Sequence, residues 1–382
     1  MPLEGEFVVR LHCSGHRVQQ VTLRSSRPYA AAGMLAGKQA RDVVATMPLL
    51  FSICGRSQRA AAAGALAAAG ALDESCGVPG DEVGVILETV QEYFWRLLID
   101  WPAAMGKQPL LAPVAAARRE IASAPRGPDG VLSWGDPAAR ELGESLARLA
   151  TTSLYAISPA QWLRLGESDA LGAWIDRGAT LPAVLLGELM RDMPEVGRSD
   201  VSLMPTAAPE ALLGAVVPAM CEPRFAQAPT WNGVPVETGA LPRMCTQPLV
   251  AAVAEHHGNA VVTRMVARLT ELAVLLQVLA TGTGAEQAGS PIQALSLGPG
   301  EGLSAVQTAR GLLLHRTRLA DGRVADYQIV APTEWNFHPD GALVHGLTGL
   351  AAVDEAALEQ RARLAVQALD PCVGYRIEVG HA

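Results

Sequence analysis

Apolar and polar residues alternate along Phe7-Val8-Val9-Arg10-Leu11 and Val18-Gln19-Gln20-Val21-Thr22-Leu23, with Ser14-Gly15 between them. A period of two broken by a turn pair predicts a β-hairpin over residues 5–24. Beyond it the period lengthens. Val83, Ile86, Leu87, Val90, Phe94, Leu97 and Leu98 recur at helical spacing and predict a helix from Val83 to Trp101. The alanine-rich stretch Gln58–Leu72, broken by Gly64 and Gly70, predicts a helix whose small side chains admit a neighbour closely. Further helices are expected over Ala138–Thr151, Ser168–Arg191 and Asn259–Ala280, the last with Arg264, Arg268 and Glu271 on its polar face. A final helix over Val353–Leu369 begins near Asp354 and is stopped by Asp370-Pro371. Pro, Gly and Ser collect at 125–137 and 193–209, which mark exposed connections.

Composition agrees with a helical chain. The 382 residues are 49% hydrophobic but only 4% aromatic, which favours closely packed helices over bulky sheet faces. The expected class is mainly α with a small N-terminal β element, folded as one domain over 1–382, with the hairpin region 1–50 packed on the helical core. A net charge of −8 without a concentrated basic run argues against nucleic acid as a partner. The first ten residues lack the basic and apolar regions of a secretory signal, and no apolar run reaches roughly 18 residues. A soluble, cytoplasmic protein without membrane insertion is expected.

Six scattered cysteines (13, 54, 76, 221, 245 and 372) do not form a disulfide framework and leave buried thiols or metal ligands as the readings. His12, Cys13 and His16 at the hairpin tip are read as turn residues facing water in preference to a metal corner. Glu255, His256 and His257 lack the HExxH spacing and are read as a solvated helix start. The glycine-rich 282–302 stretch carries neither a phosphate-loop nor a dinucleotide fingerprint, and no GxSxG elbow occurs.

Four stretches carry more. They are Ile53-Cys54-Gly55-Arg56-Ser57, Val306-Gln307-Thr308-Ala309-Arg310-Gly311, Tyr327-Gln328-Ile329-Val330-Ala331-Pro332-Thr333-Glu334-Trp335-Asn336 and Asp370-Pro371-Cys372-Val373-Gly374-Tyr375. In this order they resemble the ICGxC, PRG, YQxVxPTxWN and DPCxxC segments of the NiFe-hydrogenase large subunit. The run Trp231 to Met244 is similar to that family's stretch ending in EVGPLAR, with the alanine and proline interchanged. The resemblance implies a long-helix bundle of the large-subunit type.

It also implies a metal site with half its ligands. Cys54 and Cys372 match the first cysteines of the two motifs, whereas Ser57 and Tyr375 stand in the bridging places. Two thiolates do not complete a sulfur-rich nickel site, so no nickel and no hydrogenase turnover are expected. An iron already carrying two cyanides and one carbon monoxide needs only about three more donors, which two thiolates and one exchangeable ligand supply. By the same resemblance Arg310 would donate to one cyanide, and Thr333 with the Pro332 backbone would line the other. Considered singly, Arg310 reads as a surface ion pair and Thr333 as a helix cap. Where the family carries a proton-relaying glutamate, Ala30-Ala31-Ala32 stands. A thiolate at Cys54, opening a helix, is expected to feel the positive end of the helix dipole.

Half the ligands on a shortened chain resembles the HoxV/HupK group of hydrogenase maturation proteins. That resemblance implies a scaffold that transiently holds the Fe(CN)2(CO) moiety before transfer to the hydrogenase large-subunit precursor, with HypC/HypD-type proteins as iron-delivering partners. The alternatives are a metal-free chaperone of the precursor and a nickel-less hydrogen-activating enzyme.

Overall fold

The computed structural model describes residues 5–27, 29–51, 53–72, 81–127, 130–205, 209–222, 224–282 and 290–381. Strands β1 (Glu6–Ser14) and β2 (Arg17–Ser25) form the expected antiparallel hairpin. Phe7, Val9, Leu11 and Cys13 point inward, so Cys13 is a core thiol and not a turn residue facing water. His12 Nε2 lies 3.0 Å from Thr22 Oγ1 across the hairpin.

A second sheet corrects the expectation that β structure is confined to the N-terminus. Strands β3 (Ile292–Gly298), β4 (Glu301–Thr308), β5 (Gly311–Ala320) and β6 (Arg323–Val330) form an antiparallel meander in that order. Its sequence hides it because both faces are covered. Leu312 and Leu314 pack into a cluster with Met204, Trp231 and Trp335, while Leu313 faces Ala60, Ala61 and Val85 on the opposite side. A strand buried on both faces loses its alternation and reads as a continuous apolar run.

Helix α1 (Gly55–Ala68) is the alanine-rich segment, and it lies directly on β3 to β5. Gly64 opposes Ser304, and Gly302 sits beneath the turn Ala65–Ala69, where an added Cβ would come within 2.6 Å of Ala69 N. Contact this close requires a hydrogen in place of a side chain. Gly302→Ala is therefore expected to destabilise the fold by about 1–3 kcal/mol, the usual cost of overpacking, read as a lower denaturation midpoint with an unchanged slope.

Helix α2 (Glu82–Trp95) continues into a π-helical turn at Arg96–Asp100. The expected helix over 168–191 is two, Ser168–Arg177 and Leu181–Asp192, separated where Gly178 adopts a left-handed conformation. His256 and His257 end the helix Pro248–His257; they do not start the next one. Helix α3 (Val261–Thr281) runs through the core, and Arg264, Arg268 and Glu271 are buried, contrary to the polar face expected of them. Arg264 makes a bidentate pair with Glu237, and Glu271 accepts from Arg243 and from Tyr93 Oη. Arg264 and Glu271 are tolerated inside because each is hydrogen-bonded to an opposite charge, whereas Arg268 donates to Ala368 O, lies over the Tyr93 and Trp101 rings and approaches Asp370 at 3.7 Å.

The C-terminal third contributes a short helix α4 (Pro332–Asn336), helix α5 (Glu355–Leu369) and strand β7 (Gly374–His381). Asp354 caps α5 by accepting from Ala357 N–H at 2.8 Å. β7 pairs in parallel with β1, giving the order β2-β1-β7. The strand anchors the chain two residues after Cys372. No helix among the described residues is long and apolar enough to cross a membrane. Cys76 and the side chains of Ala30 and Ala31 lie outside the described residues.

Candidate functional site

Three elements deliver the motif residues to one place. Cys54 stands at the N-terminus of α1, Arg310 in the two-residue turn joining β4 to β5, and Cys372 in the bend between α5 and β7. The turn is fixed by Thr308, whose Oγ1 accepts from Arg310 N–H at 3.1 Å, and by Gly311 at φ 125° packed against Thr238. The bend is fixed from α4. Asn336 accepts from Thr238 N–H at 2.9 Å and donates to Leu369 O at 3.3 Å, tying the end of α5 to the segment beneath the turn.

The two cysteines, more than three hundred residues apart in the chain, are electrostatic neighbours. Burial pushes the Cys54 thiol up to about 12, and the nearby Cys372 and Glu88 add to that effect; Arg310 and Gln58 oppose it. The expected dipole effect on Cys54 is thus outweighed. Its physical competitor is Glu88 of α2, which accepts from Arg56 N–H at 2.9 Å, Ser57 N–H at 3.2 Å and Ser57 Oγ at 2.5 Å. The free amides that open α1 are therefore spent on Glu88.

Each sulfur has one neutral donor. Thr333 Oγ1 donates to Cys372 Sγ at 3.1 Å and accepts from Cys372 N–H at the same distance. Gln58 Nε2 donates to Cys54 Sγ at 3.6 Å. Thr333 is therefore engaged with a sulfur and does not cap α4, whose first position is Pro332 after the capping residue Ala331.

Arg310 is buried, contrary to the reading of it as a surface ion pair. Its Nη2 meets Glu92 at 2.6 Å, and its Nε lies 3.3 Å from Asp370 Oδ1 without hydrogen-bonding geometry, leaving a buried N–H unspent. Burial works against its charge, but Asp370 and Glu92, then the two thiols, hold the guanidinium protonated. Asp370 is the hub of this network. Arg96 approaches it at 2.8 Å and Arg268 at 3.7 Å, so three arginines converge on one carboxylate. Burial would raise the Asp370 carboxyl, but Arg96, Arg310 and Arg268 together hold it below the ordinary aspartate range. The π-helical turn places Arg96 and Asp100 side by side for this task, and they pair directly.

A cleft of about 600 Å³ opens onto the site, lined among others by Ile53, Glu92, Arg96, Arg310, Cys372 and Tyr375. Of the two residues in bridging places, Ser57 is committed to Glu88 and Tyr375 faces the cleft. Among the described residues no group of three or more His, Cys, Asp or Glu side chains is placed to hold a metal ion.

Of the residues singled out in the sequence, Cys54, Cys372, Arg310 and Thr333 are neighbours in the structure, and Pro332 precedes Thr333 as the first residue of α4. Sequence reasoning does not reach Glu88, Glu92, Arg96 or Gln58. The available signal is the i, i+4, i+8 spacing of Glu88, Glu92 and Arg96, on the side of the helix away from its apolar stripe, together with the one amide on the alanine helix.

Residues 222–374 match the family model described as nickel-dependent hydrogenase. The chain is 31% identical over 371 residues to the hydrogenase expression/formation protein HoxV of Cupriavidus necator, covering 93% of this chain and 92% of that one. It is 31% identical to the hydrogenase expression/formation protein HupV of Azotobacter chroococcum and 29% to HupK of Azotobacter vinelandii, with all of each chain covered. Among solved structures, a [NiFeSe] hydrogenase of Desulfovibrio vulgaris Hildenborough superposes with a TM-score of 0.61 at 15% identity, over 96% of this chain and 98% of that one. That similarity establishes the fold alone. With the relatives' full-length agreement added, the chain belongs to the HoxV/HupV/HupK family of hydrogenase expression/formation proteins, built on the nickel-hydrogenase fold.

Proposed function

We propose that this protein is a non-catalytic carrier in hydrogenase maturation, which holds the Fe(CN)2(CO) moiety as cargo on Cys54 and Cys372 and surrenders it to the large-subunit precursor. The observation that supports this most is the donor set: two neighbouring thiols, each with one hydrogen-bond donor, beside a buried arginine with an unspent N–H, with Cys372 and Arg310 lining an open cleft. Soft sulfur suits iron bearing strong-field ligands, and two sulfurs hold it without filling its coordination sphere. Incomplete coordination favours release. Arg310 would donate to one cyanide nitrogen, and Thr333 with the Pro332 backbone would line the other. No nickel is proposed, because Ser57 is engaged elsewhere and Tyr375 offers only a phenol.

The carrier requires a supplier of the assembled iron, for which HypC/HypD-type proteins are proposed, and an acceptor with a more complete sulfur set, the large-subunit precursor. The expected result of mixing iron-loaded protein with metal-free precursor under strict anaerobiosis is that the cyanide and carbon monoxide infrared bands move to the precursor on separation. Bands that stay with this protein, coupled with hydrogen–deuterium exchange by it alone, would point to a hydrogen-activating enzyme instead.

A further inference from the structure

Behind Cys54 lies a buried polar chain of which the proposed carrier chemistry uses only the first member, Gln58. Gln58 Nε2 faces Cys54 Sγ at 3.6 Å, Gln58 Oε1 lies 2.9 Å from His315 Nε2, and His315 Nδ1 lies 2.8 Å from Tyr327 Oη. Gln58, His315 and Tyr327 are all buried, and His315 is closed off completely. His315 comes from β5 and Tyr327 from β6, on the same sheet face, diagonal to each other because Tyr327 pairs with Thr317. The face is the one that α1 covers.

The donor and acceptor roles follow from the Cys54 end of the chain, since the Tyr327 hydroxyl can serve in either role. An amide carbonyl only accepts, so the imidazole nitrogen facing Gln58 Oε1 must carry the proton. Nδ1 is then a lone pair, and the Tyr327 hydroxyl is the group that can donate to it. The opposite arrangement would aim a carbonyl at a sulfur that has to become an anion, which is repulsive. We infer that His315 and Tyr327 are positioning residues for Cys54: they lock the Gln58 side chain with its N–H, and not its carbonyl, toward the sulfur. Burial favours the neutral ring that this role requires, pushing its pKa down to about 3.

The inference deepens the carrier reading, since it takes Cys54 as one of the two cargo sulfurs. Its geometry nevertheless exists without cargo, so the two can fail separately. In metal-free protein labelled with 15N-histidine, His315 should show the neutral Nε2–H tautomer. Tyr327→Phe, which removes one oxygen and keeps the ring, should let the Nδ1–H form appear. In parallel, alkylation of Cys54 at a single pH, measured by mass spectrometry against Cys372 in the same molecules, should slow by roughly tenfold in Gln58→Leu, the worth of one hydrogen bond to an ionised group. Tyr327→Phe should slow it in part. A purely structural role for the chain would lower thermal stability but leave the Cys54 to Cys372 ratio unchanged, and that result would overturn the inference. So would an Nδ1–H tautomer in the unaltered protein, a measurement that stands even if Gln58→Leu does not fold.

Discussion

Asp370→Asn is expected to lower the stability of the fold by about 3–5 kcal/mol, the range seen when one partner of a buried ion network is removed. Asn has nearly the same shape and tolerates the left-handed conformation that Asp370 adopts at φ 54°, so the loss isolates the charge. Arg96 would retain Glu92 and Asp100, and Arg310 would retain Glu92, but Arg268 would lose the one carboxylate it approaches among the described residues. The effect should be visible as a lower urea midpoint. It should also depend on pH in a definite direction. The folded-state carboxyl titrates below its unfolded value, so the stabilisation is complete above pH ~4 and lost as the pH falls further. The Asn variant should lack that component of acid sensitivity. Because Asp370 and Cys372 share one bend, disordered arginines should also loosen cargo, but as a consequence of the stability loss and in proportion to it.

The second large effect concerns the thiols themselves. Cys54→Ala and Cys372→Ala, each alone, are expected to reduce the hydrogenase activity that accumulates in cells by about tenfold or more, while thermal unfolding shifts little, because each removes one sulfur atom from a side chain that is partly exposed. A single remaining thiolate leaves iron with one protein ligand and no chelation, and the loss of an intramolecular second contact costs orders of magnitude in holding strength. Wild-type levels of active hydrogenase with either variant would favour the metal-free chaperone.

How far the chain can be read in advance differs by residue. Cys54, Cys372, Arg310 and Thr333 stand out because short motifs preserve their order, and the N-terminal hairpin stands out because one of its faces is wet and its alternation survives. The meander β3 to β6 does not, since Leu312, Leu313 and Leu314 are all buried and no period of two remains. Its clearest exposed clue is Asp321-Gly322, both at positive φ between β5 and β6, a strong two-residue hairpin signal. The sheet matters to the site, for its β4–β5 turn carries Arg310 and its β5 and β6 strands carry His315 and Tyr327. Asp370 is visible as a helix stop and as the first residue of the Cys372 motif, but not as a charge. Its electrostatic role depends on Arg96 and Arg268, which come from helices whose register in space no local spacing reveals. The same holds for Arg264, Arg268 and Glu271: in sequence they look like the wet stripe of an amphipathic helix, and only tertiary pairing makes their burial possible.

The most direct test is an infrared spectrum of the protein purified without oxygen from cells that contain the hydrogenase maturation machinery. Two cyanide bands and one carbon monoxide band, present in the unaltered protein and absent from Cys54→Ala and Cys372→Ala, are the predicted result. A spectrum without these bands, from protein whose cellular partner hydrogenase nevertheless matures normally, would contradict the account.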